Sequence, residues 1–238
     1  MDDEWRRGSR GSGDRADCRD RGAHVSAAGG ATADAATRHY AGGAVDDIMV
    51  VGVGGQGVIV AAAVIADTAM LHGGLEVKLS ETRGMSQRGG SVSSHIRIGE
   101  RVVAPSISPG EVDYLLAFEA AEGLRVAPSL TPDGVAIVNT QQIVPPLAST
   151  GIAYPFDAVE RLAARHAHVT AVDGNAVAEG IGDVKVAGIV LVGALAVHLP
   201  FAVETWERAL ERNVPPKWLE MNFAAFAAGR EIGAGDGA

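Results

Sequence analysis

Two glycine-rich segments of this sequence contain the residues best suited to binding or chemistry. The first runs from Gly52 to Gly57 and places glycines at the three positions of a G-x-G-x-x-G pattern, at 52, 54 and 57. It follows an apolar run at 48–51 and precedes an alanine-rich stretch, so it predicts a strand, a tight turn and a helix. In such a turn a phosphate can approach both the backbone and the unpaired N–H groups that begin the helix. Close packing of helix on strand, with no nucleotide bound, is the alternative explanation of the same glycines.

The second segment, from Glu81 to Gly90, combines three glycines with Arg83, Gln87 and Arg88. A loop of this composition can lay its backbone and two guanidinium groups against an anion or a partner surface. An ordinary solvated loop is the alternative. Glu81 also lies about 24 residues after the first segment, near the position where a dinucleotide-binding fold places the acid for a ribose hydroxyl. A nicotinamide-dependent (NAD-binding) dehydrogenase therefore stays open as an alternative, although no substrate domain with a catalytic His or Lys follows.

The composition excludes several classes of protein. The chain has 238 residues, 47% of them hydrophobic, which suffices for one α/β domain with a sizeable core. Its single cysteine, Cys18, excludes a disulfide framework and a cysteine-ligated iron–sulfur cluster within the chain. The net charge of −9 argues against a nucleic-acid surface, and the apolar run at 186–199 is shorter than the ~20 residues of a membrane span. The histidines show no metal-ligand spacing, so we expect a cytoplasmic protein without a metal, membrane or nucleic-acid site.

The sequence predicts three regions. Residues 1–46 mix arginines and acids at short range with few apolar residues, which is typical of a disordered tail. A secretory signal is not expected there, because no apolar core region is present. Residues 47–231 form the folded domain, and residues 232–238 a flexible C-terminus.

Within the folded domain, strand and helix patterns alternate, which predicts an α/β, Rossmann-like three-layer sandwich with a mostly parallel sheet. Residues 91–98 alternate with a period near two, and Gly99-Glu100 turn the chain into 101–103, so we expect an added β-hairpin at the sheet edge. The predicted strands span 48–53, 76–80, 112–118, 135–139 and 168–172. The predicted helices span 58–71, 119–127, 157–166, 184–199, 203–212 and 217–229.

The two glycine segments also carry a family resemblance. Gly-Val-Gly-Gly-Gln-Gly-Val and Glu-Thr-Arg-Gly-Met-Ser-Gln-Arg-Gly-Gly-Ser-Val, followed by Glu111-Val112-Asp113 and later by Val214-Pro215-Pro216-Lys217, resemble the beta subunits of indolepyruvate:ferredoxin oxidoreductases. These subunits are the separately encoded equivalent of the gamma domain of pyruvate and 2-oxoacid:ferredoxin oxidoreductases. The resemblance covers residues 47–231.

The resemblance implies one subunit of a thiamine-diphosphate-dependent enzyme that is inactive alone. The enzyme would convert an aryl 2-oxoacid, such as indolepyruvate, with coenzyme A and oxidised ferredoxin into the acyl-CoA, carbon dioxide and reduced ferredoxin. A large partner subunit would carry thiamine diphosphate, magnesium and the iron–sulfur clusters, and would pass electrons to ferredoxin.

Within this chain, the resemblance assigns cofactor binding to both glycine segments and leaves the catalytic residues unknown. Their loops would hold the coenzyme A phosphates or brace the partner over the thiamine site; a pure assembly subunit that touches no ligand is the remaining alternative. The residues that match the family motifs are Gly52, Gly54, Gly55, Gln56, Gly57, Glu81, Arg83, Gly84, Gln87, Arg88, Gly89 and Gly90.

Overall fold

A six-stranded mixed sheet forms the centre of the computed structural model, which describes residues 35–84, 90–144 and 153–235. The sheet has the order β2-β3-β1-β4-β5-β6. Strands β1, β4, β5 and β6 are parallel, whereas β3 is antiparallel to both of its neighbours, β1 and β2. The strands are β1 (Val45–Val53), β2 (Glu76–Arg83), β3 (Ser91–Gly99), β4 (Val112–Ala117), β5 (Leu130–Asn139) and β6 (His168–Val172).

Helices cover both faces of this sheet. Strand β1 shows why: Ile48 and Val50 belong to one buried apolar cluster, and Met49 and Val51 to another. Because successive side chains of a strand point to opposite faces, an uninterrupted apolar run requires cover on both sides. The helices are α1 (Ala35–Tyr40), α2 (Val58–His72), α3 (Ala120–Val126), α4 (Ala158–Ala163), α5 (Gly174–Ile181), α6 (Ala187–Ala196), α7 (Val203–Asn213) and α8 (Leu219–Gly235). The expected three-layer α/β fold is confirmed.

The hairpin at the sheet edge has a different partner from the one expected. Strand β3 pairs with β2 and lies between β2 and β1, while the stretch 101–103 is not a strand. Ile96 and Ile98 are fully buried, which explains why β3 takes an inner position. Val103, in contrast, is 86% exposed and has no core to join.

The expected tail boundary at residue 46 is wrong for residues 35–46. Helix α1 buries Ala36 and Tyr40 completely, and β1 begins at Val45. The Tyr40 hydroxyl donates to Oδ2 of the buried Asp46 at 2.5 Å, so this helix is fixed to the start of the sheet. Residues 1–34 lie outside the described residues.

The C-terminal helices also differ in extent from the expectation. Helix α8 continues to Gly235, because Gly233 packs against Ala194 of α6, so residues 232–235 are not a loose end. Helix α5 was missed by the sequence patterns; Asp173 caps it by accepting the Ala176 N–H at 2.9 Å. Of the helices in the described ranges, none is both long and apolar enough to cross a membrane.

Candidate functional site

A cleft of ≈ 400 Å³ opens at the carboxyl edge of the sheet, where β1, β4 and β5 end. After β1 the chain passes through α2 to β2, which lies on one side of β1 in the sheet, whereas β4 and β5 lie on the other side of β1. Open α/β sheets bind ligands at this kind of reversal in strand order. The cleft is lined by the first glycine segment, by Phe118 after β4, by residues after β5, and by the starts of α5 and α6.

The first glycine segment has the backbone geometry that its pattern predicts. Gly55 and Gly57 adopt φ angles of 102° and 89°, in the left-handed region that favours glycine. A Cβ on Gly52 would lie 2.8 Å from Cβ of Phe118, so this position needs glycine for close packing. Gly57 is the N-cap of α2 and supplies no side chain, which leaves the first N–H groups of that helix open to an acceptor.

Gln56 acts as a brace within this segment. Its Oε1 accepts the Val53 N–H at 2.7 Å, and its Nε2 donates to the Phe118 carbonyl at 2.9 Å and to Oε1 of Gln141 at 2.7 Å. The side chain therefore joins the ends of β1 and β4 to the segment after β5. These bonds use the amide of Gln56 inside the protein.

Three further carboxamides give the cleft its chemical character. Asn139 donates through Nδ2 to Oδ1 of Asn175 at 3.0 Å and accepts the Gly174 N–H at 3.1 Å. Among the described residues, the Gln141 Nε2 and Asn175 Nδ2 groups have no acceptor, so both can donate into the cleft. Lys185 adds one ammonium, which lies 3.3 Å from Oδ2 of Asp183. No Asp or Glu is among the described residues that line the cleft itself. The cleft is thus locally rich in donors on a chain of net charge −9, which suits a ligand with phosphate or carbonyl oxygens.

The second glycine segment meets the first at this edge. The Gly54 N–H donates to the Gly90 carbonyl at 2.9 Å, and the Gly84 N–H donates to the Ser91 carbonyl at 2.8 Å. Ser91 is in turn fixed to α3, because its hydroxyl donates to Oε2 of Glu122 at 2.6 Å. Gln87, Arg88 and Gly89 lie outside the described residues.

Glu81 and Arg83 lie away from the cleft. They form an exposed pair with 3.2 Å between Nη2 and Oε2 on β2, the edge strand, and neither lines the cleft. Because β3 separates β2 from β1, Glu81 is about two strand spacings, ~10 Å, from the first glycine segment. A dinucleotide bound at that segment would not meet Glu81 as it meets the ribose-binding acid of a Rossmann fold.

A buried carboxylate that the sequence analysis missed positions the segment after β5. Glu119 is 1% exposed and accepts the N–H groups of Glu122 at 2.8 Å and Ile143 at 3.1 Å. It also accepts the hydroxyl of Tyr154. Burial, together with this hydrogen bond, raises the pKa of Tyr154, so its phenol remains a donor at neutral pH. Glu119 thereby ties residues 143 and 154 to the end of β4.

One sequence signal would have found the missed cleft residues. Asn139 ends β5, Gln141 follows it after one residue, and Asn175 follows β6 after two residues. Polar residues just beyond the carboxyl ends of parallel strands meet at one edge of the sheet. Within the described ranges, no group of three or more His, Cys, Asp or Glu side chains is arranged to hold a metal ion.

Comparisons with known proteins agree with this geometry. Residues 47–232 match the model of the pyruvate ferredoxin/flavodoxin oxidoreductase family. The chain is 39% identical over 188 residues to the indolepyruvate oxidoreductase subunit IorB of Archaeoglobus fulgidus, covering 77% of this chain and 92% of that protein. It is 34% identical over 189 residues to the subunit of the same name in Thermococcus kodakarensis, covering 77% and 93%.

Two solved structures are similar in fold. The gamma subunit of a keto/oxoacid ferredoxin oxidoreductase from Geobacter sulfurreducens superposes with a TM-score of 0.61 and 25% identity, covering 80% of this chain and 99% of that one. A 2-oxoglutarate:ferredoxin oxidoreductase from Magnetococcus marinus, solved with 2-oxoglutarate, coenzyme A and succinyl-CoA, superposes with a TM-score of 0.62 and 18% identity. That match covers 80% of this chain and 31% of the other.

Proposed function

Because the chain belongs to the pyruvate ferredoxin/flavodoxin oxidoreductase family, we propose that it is the small subunit of a cytoplasmic enzyme that oxidatively decarboxylates an aryl 2-oxoacid. The observation that carries the proposal is the 39% identity to an indolepyruvate oxidoreductase subunit over 92% of that protein's length. The reaction joins the acyl group of the 2-oxoacid to the sulfur of coenzyme A and releases carbon dioxide. The two electrons that leave the substrate reduce ferredoxin.

The redox cofactors of this reaction belong to a larger partner subunit in our proposal. A ferredoxin-type cluster needs about four thiolates, and this chain has one cysteine. The partner would therefore hold the iron–sulfur clusters, together with thiamine diphosphate and magnesium, and would pass electrons on to ferredoxin. Thiamine diphosphate supplies the carbanion chemistry of decarboxylation when it is bound there.

The part of this chain in the reaction is to bind coenzyme A. The donors of Gln141 and Asn175 and the open start of α2 converge on one cleft, which Lys185 also lines. The Lys185 ammonium is paired with the carboxylate of Asp183 at 3.3 Å, an exposed contact that a phosphate can replace. Phosphate and amide oxygens are the acceptors that such a set recognises. Gly90, the last residue of the second glycine segment, borders the same edge through its hydrogen bond with Gly54. Arg88 precedes it by two residues in the sequence, and we assign its guanidinium to a coenzyme A phosphate.

The nicotinamide-dependent alternative is not favoured. It requires an acid next to the first glycine segment, and strand β3 separates Glu81 from that segment. A subunit that only assembles the complex makes a different prediction for ligand binding, and the experiment below separates the two functions.

Reconstitution tests the proposed reaction. The chain alone should not reduce a viologen dye with indolepyruvate and coenzyme A, and adding the large subunit should give turnover that requires both substrates. Turnover by the chain alone, or none after assembly, would overturn the proposal.

Substitution of Arg88 tests the coenzyme A assignment in the assembled enzyme. A bidentate guanidinium–phosphate pair contributes about 1.5–3 kcal/mol, so Arg88→Ala should raise the KM for coenzyme A about tenfold or more. Arg88→Lys should recover part of the lost affinity, because the lysine ammonium keeps the charge but cannot make the two parallel hydrogen bonds of a guanidinium. Arg101→Ala is the matched control, since Arg101 follows β3 at the opposite edge of the sheet. If the KM stays constant while the complex dissociates on gel filtration, the segment is a docking element and the chain is an assembly subunit.

A further inference from the structure

A second cavity, of ≈ 170 Å³, lies beside the cleft and shares Lys185 with it. Val60 lines this cavity and Gly57 lines the cleft, so the cavity and the cleft both border the first turn of α2. The polar side chains of Asp183, Lys185, Asn213 and Asn222 occupy part of the wall of the second cavity. The rest of the wall is apolar: Val60, Val186, Val214, Pro215, Trp218 and Met221. Its volume equals that of about five or six water molecules in the liquid, which suits one ring-sized group.

Trp218 gives this cavity an aromatic wall with positive charge on its rim. The chain has three lysines, Lys78, Lys185 and Lys217, and two of them lie over the Trp218 ring. The Nζ atoms of Lys185 and Lys217 are 5.8 Å and 5.2 Å from the ring centroid. Both distances are near the ≈ 6 Å limit of a cation–π contact. The Lys185 ammonium also lies 3.3 Å from Oδ2 of Asp183. The Lys185 side chain is 79% exposed, so this is a weak surface ion pair that a phosphate can replace.

A buried amide completes the second cavity. Asn222 is 6% exposed, lines the cavity and donates through Nδ2 to the Trp218 carbonyl at 2.8 Å. In the part of the chain that the structure describes, its Oδ1 has no hydrogen-bond partner. This oxygen is therefore an acceptor that a group bound in the cavity can use.

From these features we propose that the second cavity holds the purine ring of an adenine nucleotide, with the phosphates at Lys185 and the first turn of α2. The ring stacks on Trp218 between apolar walls, and its exocyclic amine donates to Oδ1 of Asn222. The phosphates take the place of Asp183 as the partner of the Lys185 ammonium, and the uncapped N–H groups of α2 add further donors.

This inference rests on the proposed function, because coenzyme A carries an adenine nucleotide at the end remote from its thiol. With the ring beside Trp218 and the phosphates at Lys185, the rest of coenzyme A extends into the adjoining cleft, where its two amides meet the donors of Gln141 and Asn175. A free adenine nucleotide is the other source of the same chemistry. The motif Val214-Pro215-Pro216-Lys217 then forms one wall of a nucleotide subsite.

Titration calorimetry on the full chain, with adenosine 3′,5′-bisphosphate as the probe, tests the subsite. Trp218→Ala removes the face on which the base stacks and should weaken binding by about tenfold. Lys185→Gln should also weaken it by about tenfold, through loss of a charge-assisted contact. Trp218→Phe keeps an aromatic face and should lose less, which guards against misfolding as the cause. Lys78→Gln is the matched control, because Lys78 lies on β2, and it should bind as the unmodified chain does.

The outcomes distinguish coenzyme A from a free adenine nucleotide as the ligand, and failure of the subsite from failure of the proposed function. Tighter binding of coenzyme A and adenosine 3′,5′-bisphosphate than of AMP supports coenzyme A, whereas equal binding supports a free adenine nucleotide. Absence of binding by all three, or binding that Trp218→Ala and Lys185→Gln leave unchanged, overturns the subsite. If binding gives that result while the reconstituted enzyme turns over, the subsite is wrong and the proposed function stands. If the nucleotide binds through Trp218 and the reconstituted enzyme is inactive, only the proposed function fails.

Discussion

Nε2 of Gln56 lies 2.7 Å from Oε1 of Gln141 across the mouth of the cleft. The same nitrogen donates to the Phe118 carbonyl, and Oε1 of Gln56 accepts the Val53 N–H. One side chain in the glycine segment thus holds three chain segments that are distant in sequence, and its role is to position the cleft.

Replacing Gln56 by Glu should therefore destabilise the chain. A carboxylate can still accept the Val53 N–H but cannot donate to Phe118 or Gln141, and it faces two oxygen acceptors. An unsatisfied or opposed group at this half-buried position costs about 1–3 kcal/mol, which lowers the Tm by about 2–12 °C for a chain of this size. Thermal unfolding measures the effect.

Gln142→Glu is the control for this substitution. Gln142 makes one exposed hydrogen bond, from Nε2 to the Phe156 carbonyl at 3.1 Å, so its Tm should change little. If Gln56→Glu leaves the Tm unchanged and raises only the KM for coenzyme A, Gln56 contacts the ligand and is not a brace.

The glycine segment and the layer order could be predicted from sequence because their signals are local. An apolar run at 48–51, three spaced glycines and an alanine-rich stretch are enough to place a strand, a turn and a helix. The position of Glu81 was not predictable in this way. Its distance from the glycines depends on β3 inserting between β1 and β2, and that order follows from burial of Ile96 and Ile98.

The donors of the cleft were missed for a related reason. Asn139 and Gln141 lie at the end of β5, whereas Asn175 follows β6, and each is an ordinary polar residue in its own sequence context. They form one surface only because β4, β5 and β6 are adjacent and parallel. Pairing order is a tertiary property, so a chemical site assembled across strands has no short motif.

A cluster of carboxylates at the amino edge of the sheet predicts a pH dependence of stability. Burial raises the pKa of Asp113. The hydrogen bond from the Asp47 N–H, at 3.0 Å, acts in the opposite direction, but the effect of burial is larger and the pKa is raised. A carboxyl with a raised folded-state pKa binds its proton more tightly in the folded state. The free energy of unfolding therefore falls as the pH rises from about 4, the ordinary value for Asp, through the folded-state pKa.

Asp113→Asn keeps an oxygen acceptor for Asp47 and removes this penalty. The variant should melt at a higher temperature than the unmodified chain at pH 7, and the difference should vanish below about pH 4, where Asp113 is protonated in both states. Asp133→Asn, at an exposed position, should show no such trend. A difference in Tm that is constant from pH 4 to pH 7 would contradict the assignment.

Helix α1 contributes to stability through Tyr40. The side chain is fully buried, stacks on Phe201 at 6.1 Å between ring centroids, and donates to Asp46. Truncating a buried aromatic side chain costs about 3–5 kcal/mol, so Tyr40→Ala should lower the Tm by roughly 6–20 °C.

Deletion of residues 1–34 is the comparison for Tyr40→Ala. That segment is expected from its composition to lack a core, so the deletion should leave the Tm and the activity of the assembled complex nearly unchanged. A loss as large as that of Tyr40→Ala would mean that the segment packs on the domain.

The crossing of α6 and α8 leaves no space for a side chain at its centre. A Cβ on Gly229 would lie 1.9 Å from the Val190 carbonyl oxygen, and one on Gly193 would lie 2.2 Å from the Phe226 carbonyl oxygen. Both obstacles are backbone atoms, so a methyl group can be admitted only by moving the helices apart. Overpacking costs typically 1–3 kcal/mol, and Gly229→Ala should therefore lower the Tm by about 2–12 °C.

Gly180→Ala on α5 is the matched control, because a Cβ there meets nothing within 4 Å. Alanine is the better helix former by about 1 kcal/mol, so this control should raise the Tm slightly. Equal effects of the two substitutions would show that helix propensity, and not the crossing, determines the response.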